Sequence, residues 1–472
     1  MTAIAGLASL EAELDRQRLL LNLPPKPWMP ATTGPNGEDV LDVLIVGAGL
    51  CGLTANAALA MEGITNVRLL DRAPEGREGP WITFARMDTL RTIKDAAGPA
   101  LGIPALTFRA WFEAQWGVAA WDEMTLAPRT MWMDYLLWYR RMTKPDVIND
   151  CAVTAIKSVG QLFQVTTSQG EMMARRVVLA TGLDALGSPK LPEIARGLPK
   201  GKVYHSADVF DPETLKDKRV IVVGAGASAM DNAATALEAG CARMDLLVRR
   251  PAIPTVDKFT GTGSRGMTAG FVALDDDSKW ALMDAGDRAP VPPPAHSVAR
   301  VAKHENAFLH VASPVEALIE TPDGIQVTTP SQTLDADVII FATGFGLDLK
   351  ERPELSEFSS HMRTWGDVVG PQKAQDNRGL AAHPYLNPDF TFVERTAGAC
   401  PALSRIACFA YAAVPTHGKV TSGIPSASVG ARRLASGLVR SFFAEDSAAH
   451  LERFEAYNTP DFSEDAWPAT TL

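Results

Sequence analysis

Two short stretches carry the residue types that cradle phosphate, Gly47-Ala48-Gly49-Leu50-Cys51-Gly52 and Gly224-Ala225-Gly226-Ala227-Ser228-Ala229. A phosphate at a helix N-terminus is held by free backbone N–H groups and the positive end of the helix dipole, and side chains block that approach. In the first copy Gly47 makes the tight turn, Gly49 lets a pyrophosphate close in, and Gly52 lets the following helix pack on the preceding strand. The second copy repeats this with Gly224 and Gly226 in the turn, Ser228 beside them and Ala229 as the third small residue. Two such devices in one chain predict two bound dinucleotides with electrons passing between them.

The elements that must position these turns are legible on either side. Val43 to Val46 reads as a buried parallel strand, Leu50 to Met61 as a helix, and Val67 to Leu70 as a second strand that ends in Asp71 and Arg72. An acidic side chain there accepts hydrogen bonds from a ribose hydroxyl. In the second unit Val220 to Val223 is the strand, a helix runs through Leu237, and the next strand, Met244 to Val248, ends in Arg249 and Arg250. A guanidinium at that point suits a ribose 2′-phosphate, so the second nucleotide is expected to be NADPH rather than NADH. Gly261 to Gly266 matches the same glycine pattern but follows no apolar strand, and is expected to be a flexible loop.

An internal repeat sets the architecture. Val147 to Gly182 and Phe308 to Gly344 each end in an apolar strand followed by Ala-Thr-Gly, the second at Ala342-Thr343-Gly344. Small residues there let the backbone approach a cofactor, and Thr343 and Gly344 join the cofactor-binding candidates. The second glycine turn lies between the two repeats. The expected fold is therefore α/β with two Rossmann-like dinucleotide-binding domains, the NADPH domain inserted in the first. The expected divisions are an N-terminal extension at 1–39, the first part of the first dinucleotide domain at 40–213, the NADPH domain at 214–330, and a second part of the first domain with the active-site cover at 331–472. Leu7, Leu10 and Leu14 share one helical face in the extension, which points to packing or a homodimer contact. Ser422-Gly423-Ile424-Pro425 precedes a long helical pattern through Phe443.

Composition narrows the class. The chain has 472 residues, 46% hydrophobic and 21% charged, as an ordinary globular protein of two or three domains does. A net charge of -10 argues against nucleic acid or an anionic membrane as the main partner. No apolar run reaches membrane-spanning length, and Glu11, Glu13 and Asp15 stand where a signal peptide would be basic and then apolar, so a cytoplasmic location is expected. The five cysteines form no CxxC or CxxxxC pair, which argues against a redox dithiol. The eight histidines form no ligand-spaced cluster, and no metal is expected.

Gly201-Lys202-Val203-Tyr204-His205-Ser206, together with the two glycine turns, Phe341-Ala342-Thr343-Gly344-Phe345 and Glu78-Gly79-Pro80-Trp81, resembles class B flavoprotein monooxygenases. Their marker is FxGxxxHSxxY or FxGxxxHxxxW, and their GGxW segment lies against FAD. This chain departs from the pattern at Pro199 and Val209 in the marker and at Glu78 before Trp81. Thr92-Ile93-Lys94-Asp95 and Ala127-Pro128-Arg129 are similar to the branch that hydroxylates ornithine or lysine amines, in which a lysine matching Lys94 contacts substrate. The resemblance implies FAD at the first turn, with Trp81 against it, and NADPH at the second. It also implies that NADPH reduces the flavin, oxygen adds at C4a, and the hydroperoxide passes one atom to a nucleophilic nitrogen or sulfur. Arg91, Lys94 and His205 are the active-site candidates, with a small molecule and oxygen as substrates. Alternatives are Baeyer–Villiger oxidation of a ketone, a flavin reductase without oxygen insertion, and a regulatory flavin-binder. Residues 255–300 and 350–420, including Trp365 and His383 to Asp389, are where a substrate pocket is sought.

Overall fold

A run of β-branched and leucine side chains buried on both faces can only be a central parallel strand, and Val40–Val46 (β1) is that strand. The computed structural model describes residues 6–183, 186–421, 423–463 and 466. Beside β1 lie Val67–Leu70 (β2) and then Asp146–Ile148 (β3), all parallel, with Val43 opposite Val67 and Val46 opposite Leu70. Val153–Val159 (β4) and Leu162–Thr167 (β5) form antiparallel pairs leading to Gly170–Leu179 (β6), which returns parallel to β1 on its other side.

The chain then leaves this sheet. Gly187–Pro189 (β7) leads to Val203–His205 (β8), Arg219–Val223 (β9), Arg243–Leu247 (β10) and Ala307–His310 (β11). Ala317–Thr321 (β12), Gly324–Thr328 (β13) and Thr333–Ala336 (β14) make a small antiparallel sheet, and Val338–Phe341 (β15) completes a second parallel sheet in the order β11-β10-β9-β15-β8. Phe345–Leu347 (β16) pairs antiparallel with β7, and Ile406–Cys408 (β17) rejoins the first sheet against β6. The second sheet thus takes in Val203–His205 and Val338–Phe341, both outside the interval 214–330.

Helices cover both sheets. Leu7–Leu20 (α1) buries Leu10 and Leu14 in the main core, so the N-terminal apolar face is used in packing within the chain. Leu50–Met61 (α2) follows β1 directly, and the aromatic helices Phe108–Glu123 (α3) and Arg129–Thr143 (α4) pack Trp111, Trp121, Trp132 and Tyr135 together. Ala227–Glu238 (α5) follows β9. The segment expected as a loop at 261–266 instead carries two short helices, Lys258–Thr262 and Arg265–Gly270, because Asp257 and Ser264 cap their N-termini. A separate core joins Phe271, Trp280 and Met283 to Trp365, Leu380 and Val414. Among the described residues no helix is long and apolar enough to cross a membrane.

The long helix Ala427–Glu445 lies along α2, and its C-terminal end is tied to β6. Arg175 reaches Glu445 at 2.8 Å and Asp446 at 2.7 Å, and Arg176 reaches Glu445 at 2.5 Å. Asp42 on β1 faces the same cluster, 3.8 Å from Arg175. Burial pushes its carboxyl up to about 6, with Arg175 opposing. The folded chain therefore holds this proton more tightly than the unfolded chain does. The resulting stabilisation is complete below about pH 4 and is lost as pH rises through about 6. Asp42→Asn should remove that slope: between pH 4 and 7 the unfolding free energy of the variant should gain on wild type by roughly 2–3 kcal/mol. Denaturant unfolding across that range measures it, and a constant difference would rule the titration out.

Candidate functional site

Both glycine turns sit at the carboxyl end of a strand with parallel neighbours on both sides, where the chain passes into a helix. A Cβ on Gly47, whose φ is +106°, would lie 2.4 Å from the Ala180 carbonyl oxygen, and one on Gly52 would lie 1.9 Å from the Gly47 carbonyl oxygen. On Gly224, with φ +145°, it would meet the Ala342 carbonyl oxygen at 2.8 Å and Ala229 at 3.2 Å. The middle glycines differ. Nothing lies closer than 3.9 Å to a Cβ on Gly49, and nothing lies within 4 Å of one on Gly226. Neither α2 nor α5 has a side-chain cap, so the first-turn N–H groups face that open space. The two turns therefore fit the phosphates of two dinucleotides: tight where strand and helix meet, open where an anion would approach.

The strand ends differ as the sequence requires. Asp71 accepts from Ala48 N–H at 2.8 Å and from Ala73 N–H at 2.8 Å, which fixes the carboxylate against the first turn with lone pairs left for a ribose hydroxyl. Arg72 follows it, exposed. At the other strand end Arg249 is exposed and Arg250 half-buried, and among the described residues neither guanidinium makes a hydrogen bond or ion pair. Ser228 is exposed at the start of α5, with Ala229 buried behind it.

Trp81 stands beside the first turn, edge-on to Trp132 with ring centroids 6.1 Å apart. Its carbonyl accepts from Arg129, whose Nε also donates to the Met87 carbonyl at 2.8 Å. The buried Glu78 carboxylate takes Arg140 at 2.6 Å and Asn149 at 2.7 Å, so the residue that departs from the family pattern is a brace for the 78–81 turn.

His205 ends β8. Its Nδ1 accepts from Ala207 N–H at 3.0 Å, which leaves Nε2–H to donate to the Gly344 carbonyl at 3.0 Å. Burial pulls the imidazole below its ordinary pKa, partly offset by that carbonyl, so the ring is neutral and positions the crossover between the sheets. Thr343 donates to the Lys190 carbonyl and Gly344 accepts from Lys190 N–H at 2.9 Å, which places both in the same crossover. Ala342, just before them, is the residue that touches Gly224.

Lys94 requires a correction. Its ammonium donates to the Trp121 carbonyl at 2.6 Å and sits near the Asp122 carbonyl at 3.4 Å, so it is spent on the C-terminal turn of α3 and is not presented to a ligand. Arg91 is exposed, and its charge acts on Asp231 of α5. Trp365 is fully buried and donates to Thr416 at 3.1 Å, which makes it core. His383 bonds the Gly379 carbonyl at 3.1 Å, with its ring 6.3 Å from Tyr411. Ser422 lies outside the described residues, but its neighbour Thr421 accepts from Cys51 Sγ at 2.8 Å, which brings the entry to the long helix against the first turn.

Sequence reasoning missed a set of contacts that tie residues 88–89 and Asp231 to the helix Ala295–Ala302. Thr89 meets His296 at 3.3 Å, Asp88 meets Arg300 at 2.8 Å, and the buried Asp231 accepts from Ser297 Oγ at 2.6 Å. They come from separate segments, and no spacing in the chain announces them. No group of His, Cys, Asp or Glu among the described residues could hold a metal ion, and the cysteines are free.

Residues 44–259 match the family described as pyridine nucleotide-disulphide oxidoreductase. Over 470 residues, 99% of each chain, the sequence is 37% identical to the FAD-dependent urate hydroxylase of Xanthomonas campestris pv. campestris. The fold is like that of the ornithine hydroxylase of Pseudomonas aeruginosa, with a TM-score of 0.66 at 17% identity, over 85% of this chain and 99% of that one. It is equally like the L-lysine 6-monooxygenase of Pseudomonas syringae, with a TM-score of 0.64 at 19% identity and the same coverage.

The unpaired guanidinium at the second strand end gives a direct test. Arg250→Ala should raise KM for NADPH about tenfold or more, the worth of one charge-assisted contact, and leave KM for NADH within about twofold. Initial rates with the two nucleotides measure this, and an equal effect on both would remove Arg250 from the 2′-phosphate.

Proposed function

The chain belongs to the class B flavoprotein monooxygenases, and on that premise we propose that it is an FAD- and NADPH-dependent enzyme that places one atom of molecular oxygen on a small nucleophilic substrate, with urate as the leading candidate. The observation that carries this reading is the pair of open, uncapped glycine turns with opposite strand ends, a carboxylate at one and two unpaired guanidiniums at the other.

Gly47, Gly49 and Gly52 would hold the FAD pyrophosphate, Asp71 its ribose, and Trp81 and Arg72 would flank it. Gly224, Gly226, Ser228 and Ala229 would take the NADPH pyrophosphate, with Arg250 and secondarily Arg249 on the 2′-phosphate. Bound FAD supplies hydride acceptance and oxygen activation, which no side chain provides. The chain contributes position: the NADPH-binding unit is read as nested in the FAD-binding one, since the chain leaves the first sheet after β6 and rejoins it at β17. In this reading the neutral His205 holds the crossover through Gly344, with Thr343 and Gly344 closing the second unit beside the cofactors. The Thr421 carbonyl, which accepts from Cys51 Sγ, would sit against the FAD end of the first turn.

Urate is favoured by the full-length relative named as an FAD-dependent urate hydroxylase. An amine substrate is the second reading, carried by the short matches at Thr92 to Asp95 and Ala127 to Arg129, but Lys94 is already occupied by backbone carbonyls. Per turnover, NADPH and a proton supply what is needed to release one oxygen atom as water while the other enters the substrate. The test is turnover of the purified holoenzyme under ¹⁸O₂ with NADPH and a panel of urate, ornithine, lysine, a thioether and a cyclic ketone. One ¹⁸O atom in hydroxylated urate is expected. Label in an amine or ketone instead would change the substrate, and NADPH oxidation with label in no product would make the protein a reductase.

A further inference from the structure

The backbone contacts of the first glycine turn lead outward to an aromatic ring. The Ala180 carbonyl oxygen packs where a Cβ on Gly47 would be, and the carbonyl of Gly182, two residues on, accepts from Tyr411 N–H at 3.2 Å. From the other side Thr421, whose carbonyl takes Cys51 Sγ of that turn at 2.8 Å, donates its Oγ1–H to the Ala410 carbonyl at 2.7 Å. Ala410, Ala412 and Ala413 are buried, yet Tyr411 between them is 42% exposed. Its hydroxyl has no hydrogen-bond partner among the described residues.

His383 meets this ring from a separate segment. The two rings lie edge-on, inclined by 61° with centroids 6.3 Å apart. The imidazole is held from behind, because the His383 carbonyl accepts from the backbone N–H of the fully buried Trp365 at 2.9 Å, and Nδ1 lies 3.1 Å from the Gly379 carbonyl oxygen. A carbonyl can only accept, so Nδ1 carries the proton and Nε2 of the neutral ring is a bare acceptor. Burial lowers the His383 pKa, with the Gly379 and Leu380 carbonyls and the charge of Asp287 opposing, so the ring is neutral near pH 7. Asp287 itself takes Asn377 Nδ2 at 3.1 Å.

Nε2 has no hydrogen-bond partner among the described residues and is not sealed in the core, so it is open to water or a ligand. Its place distinguishes it from an ordinary surface nitrogen. It is fixed against a half-exposed aromatic ring whose backbone is bonded to the strand end that packs on the first glycine turn. An aromatic face stacks with any flat ring, and a fixed acceptor beside it selects a ring that carries an N–H.

We propose that Tyr411 and His383 form a substrate contact beside the FAD site, where Tyr411 packs against a flat heterocycle and His383 Nε2 accepts a hydrogen bond from one of its ring N–H groups. This rests on the monooxygenase reading with urate as the leading substrate, and it names the residues that select the ring. Both act by binding, and no proton leaves the substrate in this contact.

The experiment is calorimetric titration of the FAD-loaded protein with urate and with tetramethylurate, a ring of the same shape with every N–H methylated. Asparagine at 383 can keep the donor that Nδ1 offers to Gly379 while removing Nε2, and glutamine reaches the Nε2 position. His383→Asn should therefore weaken urate binding about tenfold, the loss of one hydrogen bond, while His383→Gln stays within about threefold and neither changes tetramethylurate binding by more than about twofold. Tyr411→Ala should weaken both ligands about tenfold and Tyr411→Phe neither, since stacking needs the face and not the hydroxyl. Equal FAD content checks that each variant is folded. Unchanged urate affinity in His383→Asn or in Tyr411→Ala would overturn the site, as would a loss just as large in His383→Gln, which would make the imidazole structural, or a wild type that binds no urate. A wild type that binds urate with this dependence but does not hydroxylate it would leave the site standing and overturn the urate-hydroxylase reading instead.

Discussion

Backbone contact at two strand-to-helix turns constrains everything else in this molecule. Gly52 rests so close to Gly47, and Gly47 to Ala180, that no side chain fits at either position. β1, α2 and β6 are thereby locked into one arrangement, and the first-turn N–H groups of α2 are left pointing at open space. The same contact recurs between Gly224 and Ala342, which ties β9 and α5 to the end of β15. Each turn is thus rigid, its geometry fixed by packing before any ligand arrives.

The remaining elements hold those two sites in register. His205 and Lys190 both bond Gly344, pinning the strand pair that connects the sheets. The long C-terminal helix is anchored at its far end by Arg175 and Arg176, and the segment leading into it contacts the first turn through Thr421 and Cys51. Buried ion pairs of this kind contribute little net stability, but their loss leaves an unpaired charge, so they fix position more than they add strength. A separate set of contacts, Asp88 with Arg300 and Thr89 with His296, ties the segment after Trp81 to the helix Ala295–Ala302.

The parts of the fold that were legible in the sequence are those governed by local rules. A buried strand, a glycine turn and a helix must follow one another within a few residues, so both strand–turn–helix units and the residues at their next strand ends, Asp71 and Arg249-Arg250, were readable. The edges of the second unit were less so, because β8 and β15 join the second sheet through pairing that no local pattern encodes. The helices at 258–270 were missed although Asp257 and Ser264 are good capping residues, since the glycines around them masked the signal. Lys94 was misplaced for a different reason: its fate depends on carbonyls at Trp121 and Asp122, brought near only by the packing of α3. Asp231 and His296 had no sequence signature, because contacts made between distant segments have no spacing in the chain.

The account depends on one event, the passage of electrons from a nicotinamide nucleotide at the second turn to a flavin at the first. Anaerobic mixing of the FAD-loaded protein with NADPH, followed by the flavin absorbance, tests it most directly. Complete bleaching by one equivalent of NADPH, faster than by NADH at equal concentration, is the predicted result. A flavin that stays oxidised in excess NADPH would contradict the account, since both turns would then bind without serving each other.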